Sequence, residues 1–473
     1  MPRPMQRSRP ANRPGQTRGG RRGQLEAFER RAAEAANATA ARAGQAGPIE
    51  LPSVVSVADL AEIERRVALR MSDVFGVDTG AVALDMTNFA TYIDSANGKA
   101  PIAQRGKAKQ KRSDLRLVGL GLVVTRDGGI PLLSHTYPGN KPDVTQFPTM
   151  LRELATRHAA LTTGDTGRAG DMTVVFDAGQ NSADNFALLD TLGLHFVGSI
   201  PPSDCPDLLA LPARRRRAVD ADRDPGLTAL DTRRQVYGKD RRVVLTHSPT
   251  LHQGQSRGLD QTLTKAEAKL TELANTLARG KTRRARPAVE AEITGIVKDP
   301  WVNRVLVWTL TGDTPAQHRL TWRIDHTART RLETELFGKR VLVTDHDHWP
   351  VTDIVAGYRS QSDAEFGFRQ LKDPHVVSFS PMHHWTEHHI RVHVQTCVFA
   401  LMVAHLMRRH TKQAGLDLSL RALLDHLAGI QETVMIYPST GGRPKARRML
   451  TETTPTQDQL IDILDLNQWA PRS

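Results

Sequence analysis

Cysteine is nearly absent from this 473-residue chain: only Cys205 and Cys397 occur. Two isolated thiols exclude a disulfide framework and a cysteine metal cluster, and they suit a reducing compartment such as the cytoplasm. A secretory signal is also missing, since the N-terminus is rich in Arg, Pro and Gly and has no apolar core. Long hydrophobic runs are lacking. The most apolar stretch, residues 392–407, is interrupted by His393, Gln395, Thr396 and His405. It is too short to span a bilayer and reads as a buried core helix, so no membrane association is expected. Acidic residues are outnumbered, with 51 Asp and Glu against 64 Lys and Arg, giving a net charge of +13 and a pI near 10.0. That balance points to a polyanionic partner. Ribosomal, chromatin and membrane-surface proteins are basic too, so charge alone names no function. Hydrophobic content of 39% with 24% charged residues is ordinary for a soluble protein, and the length allows two or three domains.

The most informative stretch runs from Tyr358 to Lys372. Its polar residues Tyr358, Gln361, Glu365 and Lys372 lie at offsets 0, +3, +7 and +14. On one continuous helix they would fall at roughly 0°, 300°, 340° and 320°, all on one face. Such a stripe can hold a metal ion and phosphates together. It is also compatible with a solvated helix face carrying a Glu365–Arg369 pair at i,i+4. Two upstream segments bear on that choice. Val82-Ala83-Leu84 runs into Asp85, and Val174-Val175-Phe176 runs into Asp177. Each run is too short for a helix and reads as a buried strand that delivers its aspartate where the strand leaves the core. Either aspartate alone could simply cap a turn. With Glu365 they suggest a three-carboxylate site for a hard divalent cation, which prefers oxygen ligands.

As a set these segments resemble the DDE transposases of bacterial insertion sequences, in the group whose third acidic residue carries the signature Y-(2)-R-(3)-E-(6)-K. The signature here reads Tyr358, Gln361, Glu365, Lys372, with Gln361 where that group usually has arginine. Asp85-x-Thr87, Asp177-x-Gly179 and Phe368-Arg369-x-Leu371-Lys372 extend the resemblance, which covers roughly residues 82–406. It implies Asp85, Asp177 and Glu365 as catalytic metal ligands for two Mg²⁺ ions, with Mn²⁺ as substitute. Two such ions sit about 3.5–4 Å apart and activate a water, then a 3′-hydroxyl, for in-line attack on a phosphodiester. Tyr358, Gln361, Arg369 and Lys372 are the expected DNA or phosphate contacts, Lys372 as a point charge. The implied partners are insertion-sequence ends and target DNA, bound by a homodimer in the cytoplasm at the nucleoid.

The expected fold is α/β: a ribonuclease-H-like core interrupted by a β-rich insertion and followed by a helical tail. Residues 1–48 hold ten arginines against three glutamates and read as a disordered basic arm, either clinging to DNA or solubilising the chain. Little room is left there for a folded end-binding domain, so the chain reads as a shortened form. Residues 49–75 are a helical segment, with apolar spacing from Leu60 to Val74 behind a Ser56 cap. The core's first part is 76–201: strands at 81–86, 115–125 and 130–137, a helix at 145–158, the strand ending at Asp177, a helix capped by Ser182, and a strand at 195–200. Gly128-Gly129 turns the second strand into the third. The insertion spans 202–339, with an exposed helix at 262–281 and alternating strands at 292–297, 304–310 and 319–324. Trp301, Trp308 and Trp322 in it are core residues or base-stacking platforms. The core resumes over 340–412, with Thr352 capping the helix into Tyr358, and 413–473 form the tail. Its Gly441–Arg448 stretch reads as a loop suited to phosphates or merely solvated.

Two further clusters compete for a metal. His384, Glu387 and His388 match H-x-x-E-H, an inverted zinc-peptidase pattern, next to Pro381. Asp345-His346-Asp347-His348 reads as a loop. Rivals to the transposase reading are a ribonuclease-H-like nuclease that cleaves without joining, and a DNA-binding remnant without catalysis.

Overall fold

The computed structural model describes residues 55–107, 114–162, 172–279, 284–377, 379–437, 441 and 445–470. The expected basic arm lies outside these residues, as does the middle of the Gly441–Arg448 stretch. The chain divides into a short unit, Met1–Asp59, and a large one, Leu60–Ser473.

The large unit is mixed α/β, organised around one sheet. Strand β1 is Ala81–Thr91, β2 Arg116–Thr125 and β3 Pro131–Pro138; these three are antiparallel. Strands β4 (Thr173–Val175) and β5 (His195–Ile200) follow, each parallel to its predecessor in the sheet. Gly128 and Gly129 join β2 to β3 with φ of +90° and +68°, a conformation that glycine adopts without a Cβ clash. Ser182 caps the helix Ala183–Leu192 by accepting from the Asn185 amide at 3.1 Å.

Beyond β5 come β6 (Arg217–Ala218), β7 (Thr228–Val236), β8 (Lys239–His247), β9 (Leu306–Thr311), β10 (Arg319–Ile324) and β11 (Lys339–Thr344). The nine-stranded sheet has the order β3-β2-β1-β4-β5-β11-β8-β7-β6, while β9 and β10 pair separately. The segment 202–339 is therefore not the β-rich insertion that the sequence suggests. The β7–β8 hairpin joins the main sheet, and helix dominates the rest: Pro249–Ala278, Arg286–Ile296, Pro300–Val305 and His326–Leu336. The Pro249–Ala278 helix starts well before residue 262. It buries Leu259, Leu263, Ala266, Leu270, Leu273 and Leu277, spaced alternately four and three, which makes a continuous seam. Residues 292–296 are helical, not strand, because Val289, Ile293 and Val297 at intervals of four share one buried helix face. Trp301, Trp308 and Trp322 pack against that core.

The tail also departs from expectation. Between helices Leu420–Ala428 and Pro455–Ile463 it carries a hairpin of β12 (Glu432–Tyr437) and β13 (Lys445–Leu450), so it is not purely helical. The helix Glu387–Gln413 is long and apolar enough to cross a membrane by length and composition alone. Here Val394, Val398 and Leu401 are buried in the core.

Alternation along β1 builds two cores. Val82, Leu84 and Met86 face one side, with Met71, Phe147 and Leu151 from the helices Val57–Phe75 and Asp143–Thr162. Ala83 and Phe89 face the other, against Tyr358, Ala364, Phe368 and Leu371 from helices Val351–Arg359 and Gln361–Lys372. Each fully buried Leu or Phe contributes about 1.5–3 kcal/mol by leaving water. Asp85 and Thr87 share the parity of Ala83, so β1 presents them to this second, helix-covered face.

Candidate active site

Parallel pairing of β1 and β4 gives two aspartates the same offset from one rung. The β1–β4 register pairs Ala81 with Thr173 and Ala83 with Val175. Two residues beyond that last rung stand Asp85, still within β1, and Asp177, past the end of β4. Asp177 leaves the sheet and caps a helical turn, its Oδ1 accepting from the Ala178 amide at 2.7 Å. The same oxygen accepts from Ser199 Oγ at 3.1 Å and from the Tyr358 hydroxyl at 3.3 Å. Asp85 Oδ1 accepts from the Met86 amide at 2.7 Å. Its charge also reaches Tyr137: burial first, then Asp143 and then Asp85, raise that phenol's pKa. Tyr137 fits there because residue 119 is glycine; a Cβ would lie 2.1 Å from the tyrosine ring.

The expected single helical stripe is interrupted. The helix Val351–Arg359 ends, Ser360 turns, and Gln361–Lys372 begins anew, so Tyr358 and Glu365 stand on different helices. Thr352 is not the cap of the first: Pro350 occupies that position without a side-chain bond. Tyr358 is buried, with its hydroxyl between Asp177 and Ser199 Oγ, 3.2 Å from the latter. Burial raises its pKa, the Ser199 hydrogen bond opposes this, and the Asp177 charge adds to it, so the hydroxyl remains a donor. Tyr358 thus positions Asp177.

Gln361 is one of the phosphate contacts expected from the sequence. It is buried, and its Nε2 donates to the Leu84 carbonyl at 3.1 Å, tying the Glu365 helix to the strand that carries Asp85. Its Oε1 is buried with no hydrogen-bond partner among the described residues. Lys372 is exposed, donates to Thr87 Oγ1 at 3.3 Å, and lies 5.2 Å from the Phe89 ring centroid. Arg369 is exposed and stacks over Phe366 at 5.5 Å.

Asp177, Tyr358, Gln361 and Glu365 line one cavity of about 560 Å³, together with Arg340 and Arg359. Arg359 is ion-paired with Asp224, whereas Arg340 lies over the Tyr358 ring at 5.6 Å. Glu365 is exposed, and its carboxylate makes no hydrogen bond or ion pair among the described residues. Asp85, Lys372 and Arg369 are not part of the cavity lining. Asp85 connects to it through the neighbouring Leu84, whose carbonyl accepts from Gln361, and Lys372 lies beside Thr87 on the same strand. As a donor set, Asp85, Asp177 and Glu365 offer oxygen only, which fits Mg²⁺ or Mn²⁺. They do not form a single group with all donor atoms within 4.8 Å of one another. Two ions sharing three carboxylates need a wider spread than one ion does. Ser199 and Arg340 escaped the sequence reading because each is an ordinary residue of a strand, with no local motif around it.

The H-x-x-E-H stretch does not build a zinc-peptidase geometry. The helix begins at Glu387, so His384 precedes it and His388 lies on it. Glu387 pairs with Arg391 at 2.8 Å, and Thr386 caps the helix through the His389 amide. His384 lies against His393 instead, with 4.7 Å between ring centroids and the rings tilted by 49°.

No protein-family model matches the chain, and no curated protein matches it. Among solved structures, it is similar to the piggyBac transposase in a synaptic complex with hairpin DNA, with a TM-score of 0.34 and 8% identity over 74% of this chain and 52% of that one. It is also similar to the Mos1 mariner paired-end complex with Mn, with a TM-score of 0.18 and 12% identity over 35% of this chain and 51% of that one. The chain spans about half the length of each. Similarity this low carries no functional conclusion, which has to rest on the residues of the site.

Proposed function

We propose that this protein is a metal-dependent DNA transposase that cuts and joins the ends of an insertion sequence. The observation that carries the reading is that Asp177 and Glu365 line one cavity, while Asp85 stands within β1, at the same offset from the last β1–β4 rung as Asp177, on the face that the Glu365 helix covers. The strand order β3-β2-β1-β4-β5 in the first half of the sheet, with only the first three antiparallel, supports a ribonuclease-H-like core. The pattern around Tyr358, Glu365 and Lys372 supports the bacterial insertion-sequence group, and the +13 net charge supports a DNA partner. A cytoplasmic, DNA-bound homodimer completes the proposal.

In this reading the chain's own groups do three things. Ser199 and Tyr358 orient the Asp177 carboxyl as a hydrogen-bond acceptor. Glu365 extends its carboxylate into the cavity, and Arg340 supplies positive charge for a phosphate entering it. Lys372 offers a point charge beside Thr87. Divalent ions bound by Asp85, Asp177 and Glu365 would supply Lewis acidity at the phosphate and a nucleophile at neutral pH.

The test is nicking and strand transfer on duplex DNA that carries the sequence flanking the coding region, with Mg²⁺ or Mn²⁺. Nicking and joined products that both disappear in Glu365→Gln support the proposal. Nicking without joined products reassigns the site to a nuclease. A folded protein that binds this DNA without cleaving it in either metal overturns the catalytic reading.

A further inference from the structure

The other end of the same strands carries a different set of ligands. His195 is the first residue of β5, and Asp345-His346 follow directly after β11, which runs antiparallel to β5 with Thr344 opposite Val197. His195 Nδ1 lies 2.8 Å from Asp345 Oδ2, and the two histidine rings stack with centroids 4.6 Å apart. One donor atom from each of His195, Asp345 and His346 lies within 4.8 Å of the other two, the only such group of histidines, cysteines or acids among the described residues. β5 has six residues, so roughly 16 Å of strand separates this cluster from the end near Asp177.

The cluster is held in place by its surroundings. The Phe196 amide donates to Asp345 Oδ1 at 2.9 Å, and the His346 amide donates to Thr344 Oγ1 at 3.1 Å. Arg242 Nη1 donates to the carbonyls of His346, Asp347 and Trp349 at 2.9, 3.2 and 2.6 Å, clamping the loop. The His346 ring stacks on Trp349 at 3.8 Å, nearly parallel at 11°, while its Nε2 meets Thr173 Oγ1 at 2.8 Å. Side chains of His195 and Asp345 are 33% and 30% exposed, which leaves an approach from solvent.

We propose that His195, Asp345 and His346 form a zinc site, with water as the fourth ligand. Two imidazoles and one carboxylate are a borderline-soft set that suits Zn²⁺ and not Mg²⁺, which prefers oxygen alone. Ligands oriented beforehand by hydrogen bonds and stacking are what a metal site requires of its outer partners. The ion takes the place of the proton between His195 Nδ1 and Asp345 Oδ2, and that proton passes to solvent. The site pins β11 to β5, where the first five strands meet the rest of the sheet. It is independent of the DNA-cleavage reading.

The experiment is elemental analysis and Zn²⁺ titration of the full-length chain, purified without a histidine tag, together with Co²⁺ substitution followed by visible absorption. The expected result is one equivalent of zinc and a Co²⁺ spectrum that zinc displaces. Zinc should be lost in His195→Ala/His346→Ala and retained in His384→Ala/His388→Ala. If the first double variant fails to fold, the Co²⁺ bands of the wild type and their loss in Asp345→Asn decide the matter. Folded wild-type chain that takes up neither zinc nor cobalt overturns the proposal, as does zinc lost only with His384 and His388.

Discussion

Glu64 and Glu365 stand on helices that cover opposite faces of one sheet, and their surroundings differ throughout. Glu64, on the Val57–Phe75 helix, is 2% exposed. Its Oε2 accepts from Arg157 at 2.7 Å, and its Oε1 accepts from the Ser134 amide at 3.0 Å and from Gln395 Nε2 at 3.1 Å. Arg157 is itself buried and also donates to the Leu132 carbonyl. Glu365 is exposed, borders a cavity of about 560 Å³, and has no protein cation on its carboxylate among the described residues. A buried acid is tolerated only when its charge and lone pairs are met from within, and it then serves structure. An acid kept beside other acids without a protein counter-ion suits a cation that comes from solution.

The comparison breaks first at Glu64. Glu64→Ala takes the buried carboxylate from the Arg157 guanidinium and leaves it only the half-exposed Glu153, 3.0 Å from its Nε, a loss of about 3 kcal/mol. Denaturant unfolding should show this as a lower midpoint, with metal-dependent nicking per folded molecule unchanged. A stable variant, or one with lost chemistry at full folding, would erase the distinction between the two glutamates.

Glu365→Gln should do the reverse. It removes a charge with almost no change in volume from an exposed position, so stability should move by no more than about 0.5 kcal/mol. Nicking should fall by about 10²–10³-fold, the usual effect of removing one group that stabilises transition-state charge. Kinetics and unfolding measured on the same preparation check both halves.

How much of this contrast was legible in the sequence differs between the two acids. Asp85, Asp177 and Glu365 announce themselves because each has a local sequence pattern around it, although in the structure only Asp177 stands at an element boundary, Asp85 lying within β1 and Glu365 within its helix. Glu64 gives no such signal, since its partners Ser134, Arg157 and Gln395 are 70, 93 and 331 residues away. The same limit hid the His195–Asp345 contact, 150 residues apart, although Asp345-His346 do form the loop that the sequence suggests. Strands with strict alternation or apolar ends, such as β1 and β5, were readable. The segment 292–297 was not, because six residues of mixed polarity fit either period, and only Val289 upstream restores the spacing of four. The break at Ser360 was invisible because serine carries no obligatory turn geometry.

Acidic conditions confound the two glutamates unless a third buried group is separated from them. His405 is 1% exposed, and its Nδ1 meets the Gly128 carbonyl at 3.1 Å. Burial pushes its pKa down to about 4; hydrogen bonds to Gly128 and Gly129 oppose the shift, and the Arg408 charge adds to it. Because the folded pKa lies below the unfolded value of 6.5, the unfolded chain takes up the proton first as pH falls. Stability from this group is complete above pH 6.5 and declines toward pH 4, by roughly 3 kcal/mol in all. His405→Gln should flatten that part of the stability–pH curve. An unchanged slope in the variant would assign acid lability to the carboxylates instead.

The smallest effect is expected at Lys372, and it tests whether the side of the sheet that carries Glu365 meets DNA at all. The ammonium is exposed beside Thr87 and Phe89, two and four residues along β1 from Asp85. Its ammonium lies over the Phe89 ring, so that contact is lost in Lys372→Ala, about 1 kcal/mol or less at an exposed position. If the charge grips a phosphate, the variant should bind duplex DNA roughly tenfold more weakly, and the slope of log affinity against log salt should fall by about 1. Lys372→Arg should restore most of the affinity, because it retains the positive charge, whereas a purely structural role would show the same salt slope in all three proteins. Fluorescence anisotropy across a salt series, paired with unfolding curves, gives both readouts. An unchanged slope with lowered stability would make Lys372 a packing residue of β1 and leave Arg340 as the cation that serves the cavity.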